Sequence, residues 1–411
     1  MAQGHCFAPN LSSATHLLRA AAFPRCVPGP VRREQPSRAV ATHFAPSSTP
    51  SLPSHAPSPP GVTCRRFRGG GGGGSSARTF GVLSSEVEAL RVQTLNGTFG
   101  ALVEGVHAPL TPAALRCAAL GAELRAIWVR SGVLVIRGLQ SMTPEDLAAI
   151  SGHFGILSQD VGAGREHCTL PGVPILRIGN VRDQSGRMIS QPAAARGNLL
   201  PASGSCQYRP EEHLPVWHTD GTFMAVPPAG SALFCRRAPP EGAETCFADM
   251  AAAWEALAPE EQASLEELEC VCSLAHHDAK ISLRVPDYPR LTPEERAANP
   301  PRRVPVALDH PSTGRRALYG ANSSTCRVLR RGEAVSAEDM DRYDLEGVEH
   351  ESVSILRALL PRVTSREFSV VWQWQEGDLV IWDNRSTLHC ATGYDQDRYV
   401  REMWRTTIMP D

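Results

Sequence analysis

Three residues of this chain have the types and spacing to hold a divalent metal. His218 and Asp220 stand two apart in Val216-Trp217-His218-Thr219-Asp220-Gly221-Thr222-Phe223. In extended backbone, residues two apart point to the same side, so this imidazole and carboxylate can reach one ion together. The third is His389, at the end of Ile381-Trp382-Asp383-Asn384-Arg385-Ser386-Thr387-Leu388-His389. Two histidines and one carboxylate form the facial set that suits ferrous iron and leaves coordination positions open for oxygen chemistry. Thiolates, which would favour zinc, have no place in this set.

Beyond His389 lies Arg401-Glu402-Met403-Trp404-Arg405. A dicarboxylate co-substrate that chelates iron at one end must be anchored at the other. A guanidinium offers a planar fork of donors that matches a carboxylate and keeps its charge when buried. The only lysine, Lys280, lies outside every motif.

These residues need strands to aim them. Gly132–Gly138 reads as a buried strand, Ser231–Cys235 as another, and Phe368–Trp374 and Asp378–Trp382 as two more across the turn Gln375-Glu376-Gly377. Thr111-Pro112 opens an apolar-periodic run through Val129. Thr143-Pro144 opens a helix ending near Gly152 to Gly155, and Asp249 caps one expected to run to about Leu268. Residues 284–316, rich in Pro and Arg, read as a long loop. The expected class is mainly β, an antiparallel sandwich with helices packed outside.

Composition is that of a globular protein, with 42% hydrophobic and 20% charged residues. No apolar run reaches the roughly 18 residues of a spanning helix. Residues 1–80 hold nine Arg and one acid, Glu34, for +8; with −2 overall, the remainder carries −10. An acidic body argues against nucleic acid as partner. The leader is rich in Ser, Pro, Ala and Arg and closes in six glycines, Gly69 to Gly74. It is expected to be a disordered organelle transit peptide, plastid ahead of mitochondrion, with a plain tail on a cytoplasmic protein as the alternative. The domain proper is expected over residues 81–411. The twelve cysteines include no C-x-x-C and read as free thiols.

Taken together in order, several pieces resemble the taurine and 2,4-dichlorophenoxyacetate dioxygenase (TauD/TfdA) family. They are Val103-Glu104-Gly105-Val106, Gly132–Gly138, His153-Phe154-Gly155, Trp217–Phe223, Glu241–Thr245, His310–Arg315 with Ala317-Leu318-Tyr319, and Trp382–Arg385 through His389 to Thr407. The resemblance implies a double-stranded β-helix (jelly-roll) core. It also implies Fe(II) as cofactor on His218, Asp220 and His389, with 2-oxoglutarate and O2 as co-substrates. Arg401 and Thr245 would hold the distal carboxylate of 2-oxoglutarate, and Arg405 would lie near the metal, facing an anionic substrate or serving a structural ion pair. The implied reaction hydroxylates an unactivated carbon of a small organic molecule, giving succinate and CO2. Assembly into a homo-oligomer is left open. Leu214 and the segment Gln159–Leu170 depart from the taurine-specific pattern, which puts taurine itself in doubt. Two other classes stay in view: a metal-dependent cupin-type enzyme without 2-oxoglutarate, and a catalytically silent jelly-roll binding protein.

Overall fold

Period-two burial along the strands divides the molecule into layers. In chain order the strands that build the site are β1 (Leu90–Asn96), β2 (Phe99–Gly105), β3 (Val133–Ile136), β4 (Leu176–Gly179), β5 (Gly230–Arg237), β6 (Thr245–Asp249), β7 (Ser369–Trp372), β8 (Leu379–Asp383), β9 (Thr387–Ala391) and β10 (Glu402–Met409). The larger sheet runs β1-β2-β3-β8-β5-β10, with β4 and the short Ile156–Leu157 strand also on β10. Its pairings are antiparallel except that of β2 with β3. The smaller sheet runs β7-β6-β9.

Alternate residues of the larger sheet enter different cores. Leu134 and Ile136, Ala232 and Phe234, Leu379 and Ile381, and Trp404 and Ile408 pack under helices α1 (Ala118–Ser131) and α2 (Pro144–Ser151). Their strand neighbours Val133, Val135, Leu233, Cys235, Val380, Trp382 and Met403 turn to the opposite face. There they meet Phe247 of β6 and Trp372 of β7, so the two sheets pack face to face. The outer face of the smaller sheet, through Cys246, Ala248, Leu388 and Cys390, packs on Trp254, Leu265, Leu356 and Leu360 of a second helical layer. The architecture is mainly β with helices outside, as expected.

The computed structural model describes residues 78–79, 89–159, 166–191, 217–282, 290–322 and 324–411. All the described residues fall in one compact unit, Gly72–Asp411. The expected leader falls outside the described residues except for Arg78–Thr79, as do Leu214 and residues 160–165 of the Gln159–Leu170 segment. Arg78–Thr79 pairs with Arg91 and Val92, so strand structure reaches back across the boundary expected at residue 80. No helix among the described residues is long and apolar enough to cross a membrane.

Several boundaries differ from the sequence reading. The helix capped by Asp249 ends at Glu255, a second one spans Pro259–Glu266, and Leu268 opens a strand. Pro259 is the cause, because a proline drives the residue before it out of the helical region and suits the first turn of a new helix. Likewise the run from Thr111 is two helices, Pro112–Leu115 and Ala118–Ser131, parted where Cys117 is extended. Within the stretch read as a loop lie a helix, Pro293–Ala298, and strands Arg302–Pro305 and Ala307–Asp309. Thr292 and Glu295 form a capping box there, a signal that the proline and arginine content obscured. Among the described residues Cys117, Cys235, Cys270, Cys272, Cys326 and Cys390 are free thiols, but Cys246 is disulfide-bonded, which spacing along the chain does not reveal.

One glycine fixes how β4 meets the start of β10. Gly179 has φ 145°, and a Cβ added there would fall 1.9 Å from the carbonyl oxygen of Arg401. Beside it, Asn180 accepts a hydrogen bond from the Arg401 backbone N–H at 2.8 Å and returns one from its own N–H to the Arg401 carbonyl at 3.2 Å. Gly179→Ala should therefore lower unfolding stability by about 2 kcal/mol or more. Chemical denaturation followed by tryptophan fluorescence measures it, and an unchanged midpoint would contradict this close approach.

Candidate metal centre

The ligand candidates are brought together by backbone pairing. His218 and His389 exchange two backbone hydrogen bonds, N to O at 2.9 Å and 2.7 Å, in an isolated antiparallel bridge beside β9. Their rings lie with centroids 4.1 Å apart. Asp220 follows His218 in a turn, and its Oδ1 is 3.9 Å from His218 Nε2 and 3.8 Å from His389 Nε2. One ligand atom from each of the three lies within 4.8 Å of the others. Among the described residues, this is the only group of three or more His, Cys, Asp or Glu side chains so arranged.

The electrostatics suit a cation. Burial first, and then the nearby positive groups His218 and Arg405, push the pKa of His389 down to about 3 against the pull of Asp220. Its imidazole is thus neutral at physiological pH, with a lone pair to give. Burial would raise the Asp220 carboxyl, but Arg405 and the two histidines together hold it well below the usual carboxylate range. The result is one carboxylate and two imidazoles on one point, a set that fits Fe(II). The His389 ring stands against Trp382 at 4.8 Å and Phe247 at 6.3 Å, and its buried Nδ1 has no hydrogen-bond partner among the described residues. Aromatic packing holds this ring.

The arginines come from β10 and the residue before it. Arg401, Met403 and Arg405 share one side of the chain by alternation, and Met403 lies in the core between the sheets. Arg405 approaches Asp220 Oδ1 at 3.8 Å, while its buried Nε has no hydrogen-bond partner among the described residues. Arg401 is only 4% exposed, and among the described residues its guanidinium meets no carboxylate and makes no hydrogen bond. Its electrostatic neighbours are Tyr394 and Cys235. Thr245 begins β6, opposite Trp372 and Ala391, and its hydroxyl accepts a 2.9 Å hydrogen bond from Trp374 Nε1. That leaves the hydroxyl proton of Thr245 to donate elsewhere.

The family model described as "Taurine catabolism dioxygenase TauD, TfdA family" matches residues 91–407. The chain belongs to this family. It is accordingly a 2-oxoglutarate-dependent dioxygenase, with Fe(II) as the metal that its triad fits. It is similar to the alpha-ketoglutarate-dependent 2,4-dichlorophenoxyacetate dioxygenase of Cupriavidus pinatubonensis, alpha-ketoglutarate being 2-oxoglutarate. The two are 33% identical over 200 residues, which are 48% of this chain and 60% of the relative. The (S)-phenoxypropionate/alpha-ketoglutarate-dioxygenase of Sphingobium herbicidovorans is 27% identical over 79% of this chain and 96% of its own. A solved structure of AAD-2 in complex with Mn(II) and N-oxalylglycine has a TM-score of 0.54 at 26% identity, covering 79% of this chain and 98% of the other. Within the family, neither a cupin-type enzyme without 2-oxoglutarate nor a silent binding protein describes the chain.

Some residues around the site were not legible as such. Ser231 lies on the inner side of β5 and donates to Asp220 Oδ2 at 2.7 Å. A serine at an inward position of an otherwise apolar strand was the available signal. Asn384 and Arg385 do shape the turn before His389, as their place in the motif suggests, but each carries more. Asn384 bonds both Ser231 and Trp382. Trp382, packed in the core between the sheets, therefore has a polar duty as well. Arg385 makes a paired contact with Asp383 through Nε at 2.8 Å and NH2 at 2.5 Å. Asp383 also receives His310 Nε2 at 2.9 Å, while His310 Nδ1 accepts from the N–H groups of Ser312 and Thr313. Those acceptances place the proton on Nε2, so a neutral His310 donates to a charged Asp383.

This knot sets a pH dependence. Burial works to raise the Asp383 carboxyl, but hydrogen bonds from Arg385 and His310 bring it below the usual range. A carboxyl lowered on folding contributes stability above its unfolded pKa and loses it as the pH falls through the folded value. Asp383→Asn should thus destabilise by about 3 kcal/mol at neutral pH, with the gap to wild type closing below about pH 4. Guanidinium denaturation at about pH 7 and about pH 3 measures both gaps; equal gaps would rule out an ionised Asp383.

Proposed function

We propose that this chain hydroxylates an unactivated carbon of a small, anionic organic acid, with consumption of 2-oxoglutarate and O2 and release of succinate and CO2. His218, Asp220 and His389 hold Fe(II) in this reading, and the two facing sheets are the halves of a double-stranded β-helix. Bound iron with 2-oxoglutarate supplies the oxidising chemistry; the protein's residues bind, orient and exclude water. Arg401, with the free hydroxyl proton of Thr245, anchors the distal carboxylate of 2-oxoglutarate. Arg405 neutralises anionic charge beside the metal and faces the acid group of the substrate.

The observation that carries this reading is Arg401. A guanidinium that is 4% exposed with no carboxylate partner among the described residues is a cation awaiting an anion, since an unpaired buried charge is otherwise strongly destabilising. The acidic nature of the substrate is supported by the unpartnered Nε of Arg405 next to the triad. It is supported too by the relatives named for phenoxyacetate and phenoxypropionate, which are carboxylates.

The test is anaerobic addition of Fe(II) and then 2-oxoglutarate, followed by the visible charge-transfer absorption of the chelate and, in air, by succinate release with a panel of aryloxy and alkyl carboxylates. Asp220→Ala should abolish both. Arg401→Ala should raise the 2-oxoglutarate concentration for half-saturation by about 10- to 100-fold, the loss of a charge-assisted pair. An unchanged requirement in Arg401→Ala would remove the anchor from the proposal.

A further inference from the structure

Asp220 divides its two oxygens. Oδ1 faces both histidines and Arg405, at 3.8 to 3.9 Å. Oδ2 turns the other way and accepts from Ser231 Oγ at 2.7 Å. Ser231 is itself fully buried and accepts from Asn384 Nδ2 at 3.3 Å. The other end of the Asn384 amide, Oδ1, accepts from the indole Nε1 of Trp382 at 2.9 Å.

The chemistry of these groups gives the chain one direction. An indole N–H can only donate, so the Asn384 atom facing it must be the carbonyl oxygen. The amide nitrogen is then fixed toward Ser231, and it too can only donate. With one lone pair of its oxygen engaged, Ser231 turns its single proton to Asp220. Every member lies within the core: Trp382 is 2% exposed, Asn384 1% and Ser231 0%. The backbone holds the two ends in register, because Trp382 pairs directly with Ser231 in the ladder between β8 and β5. The Asn384 main-chain carbonyl also accepts from the Thr219 hydroxyl at 2.6 Å, tying the residue between the first two ligands to the same turn.

We propose that Trp382, Asn384 and Ser231 form a one-way hydrogen-bond relay that positions Asp220 for the metal. The relay occupies Oδ2 and leaves Oδ1 as the oxygen that would reach a metal held with His218 and His389. These are positioning residues, since they act through Asp220. The inference rests on the proposed Fe(II) assignment of the triad and adds to it how the carboxylate is aimed. Partners of this kind around a ligand change metal affinity by about 10- to 100-fold when removed.

Two substitutions test it with little change in volume. Ser231→Ala deletes the donor to Oδ2. Asn384→Asp keeps the acceptor for Trp382 but replaces the amide donor with an acceptor, so Ser231 is drawn away from Asp220. The readout is Mn(II) affinity of the full chain without 2-oxoglutarate, from loss of the free-ion electron paramagnetic resonance signal, alongside thermal unfolding of the metal-free protein. We expect Mn(II) affinity to fall about 10-fold or more in each variant, and no further in the double variant than in the weaker single one, because one relay is cut twice. Asn384→Asp buries a carboxylate, so its metal-free melting temperature should fall, and Ser231→Ala, which adds no charge, carries the affinity comparison. Wild-type affinity retained in both variants overturns the relay. So does additive loss in the double variant, which would mark two independent structural effects. Failure of the wild-type protein to bind Mn(II) or Fe(II) would overturn instead the metal assignment on which the relay rests.

Discussion

The two backbone hydrogen bonds between His218 and His389 are the constraint on which the rest of the site depends. They dock an irregular loop against the edge of the smaller sheet and, in doing so, bring ligands far apart along the chain onto one point. Everything nearby is arranged to keep that docking single-valued. On one side the Thr219 hydroxyl reaches the Asn384 carbonyl. On the other, Asn322 Nδ2 reaches the Thr219 carbonyl and Ser324 Oγ meets Thr222. A loop held from both sides by buried polar groups cannot drift without leaving several of them unsatisfied, and each such loss costs about 1–3 kcal/mol.

The two sheets divide the chemistry between them. The smaller sheet contributes His389 and Thr245, and the larger contributes Ser231 and Arg405, with Arg401 one residue before β10. Inward positions that are apolar elsewhere along these strands become polar only where they approach the site. The same period-two pattern therefore builds the core and the site, and changes in residue type alone mark where one gives way to the other. Rigid strands also suit the task, because a triad and an anion anchor must keep their spacing to a fraction of an ångström.

Charge is managed by separation. Arg401 is buried without a carboxylate partner among the described residues, while Arg385 is committed to Asp383 and Lys280 to Glu349. The two paired cations tie a turn and a helix to neighbouring carboxylates, which Arg401 does not. Lys280, the single lysine, is 4% exposed and belongs to the paired class.

Sequence alone determined the triad, the arginine spacing and the sheet-plus-helix class. The reason is local in each case: H-x-D on extended backbone, R-x-M-x-R with period two, and strands whose alternate residues are all apolar carry their geometry in their own spacing. Caps at Thr111, Thr143 and Asp249 were legible for the same reason. Sequence could not decide how Asp220 is held, because Ser231, Asn384 and Trp382 meet only when β5 and β8 pair. Nor could it assign His310, whose partner Asp383 is distant along the chain and whose proton position follows from the turn it caps. The same holds for Gly179, whose need for a missing Cβ arises from the carbonyl of Arg401 passing against it. Short-range spacing fixes which groups are present and which way they face; only long-range strand pairing decides which of them touch.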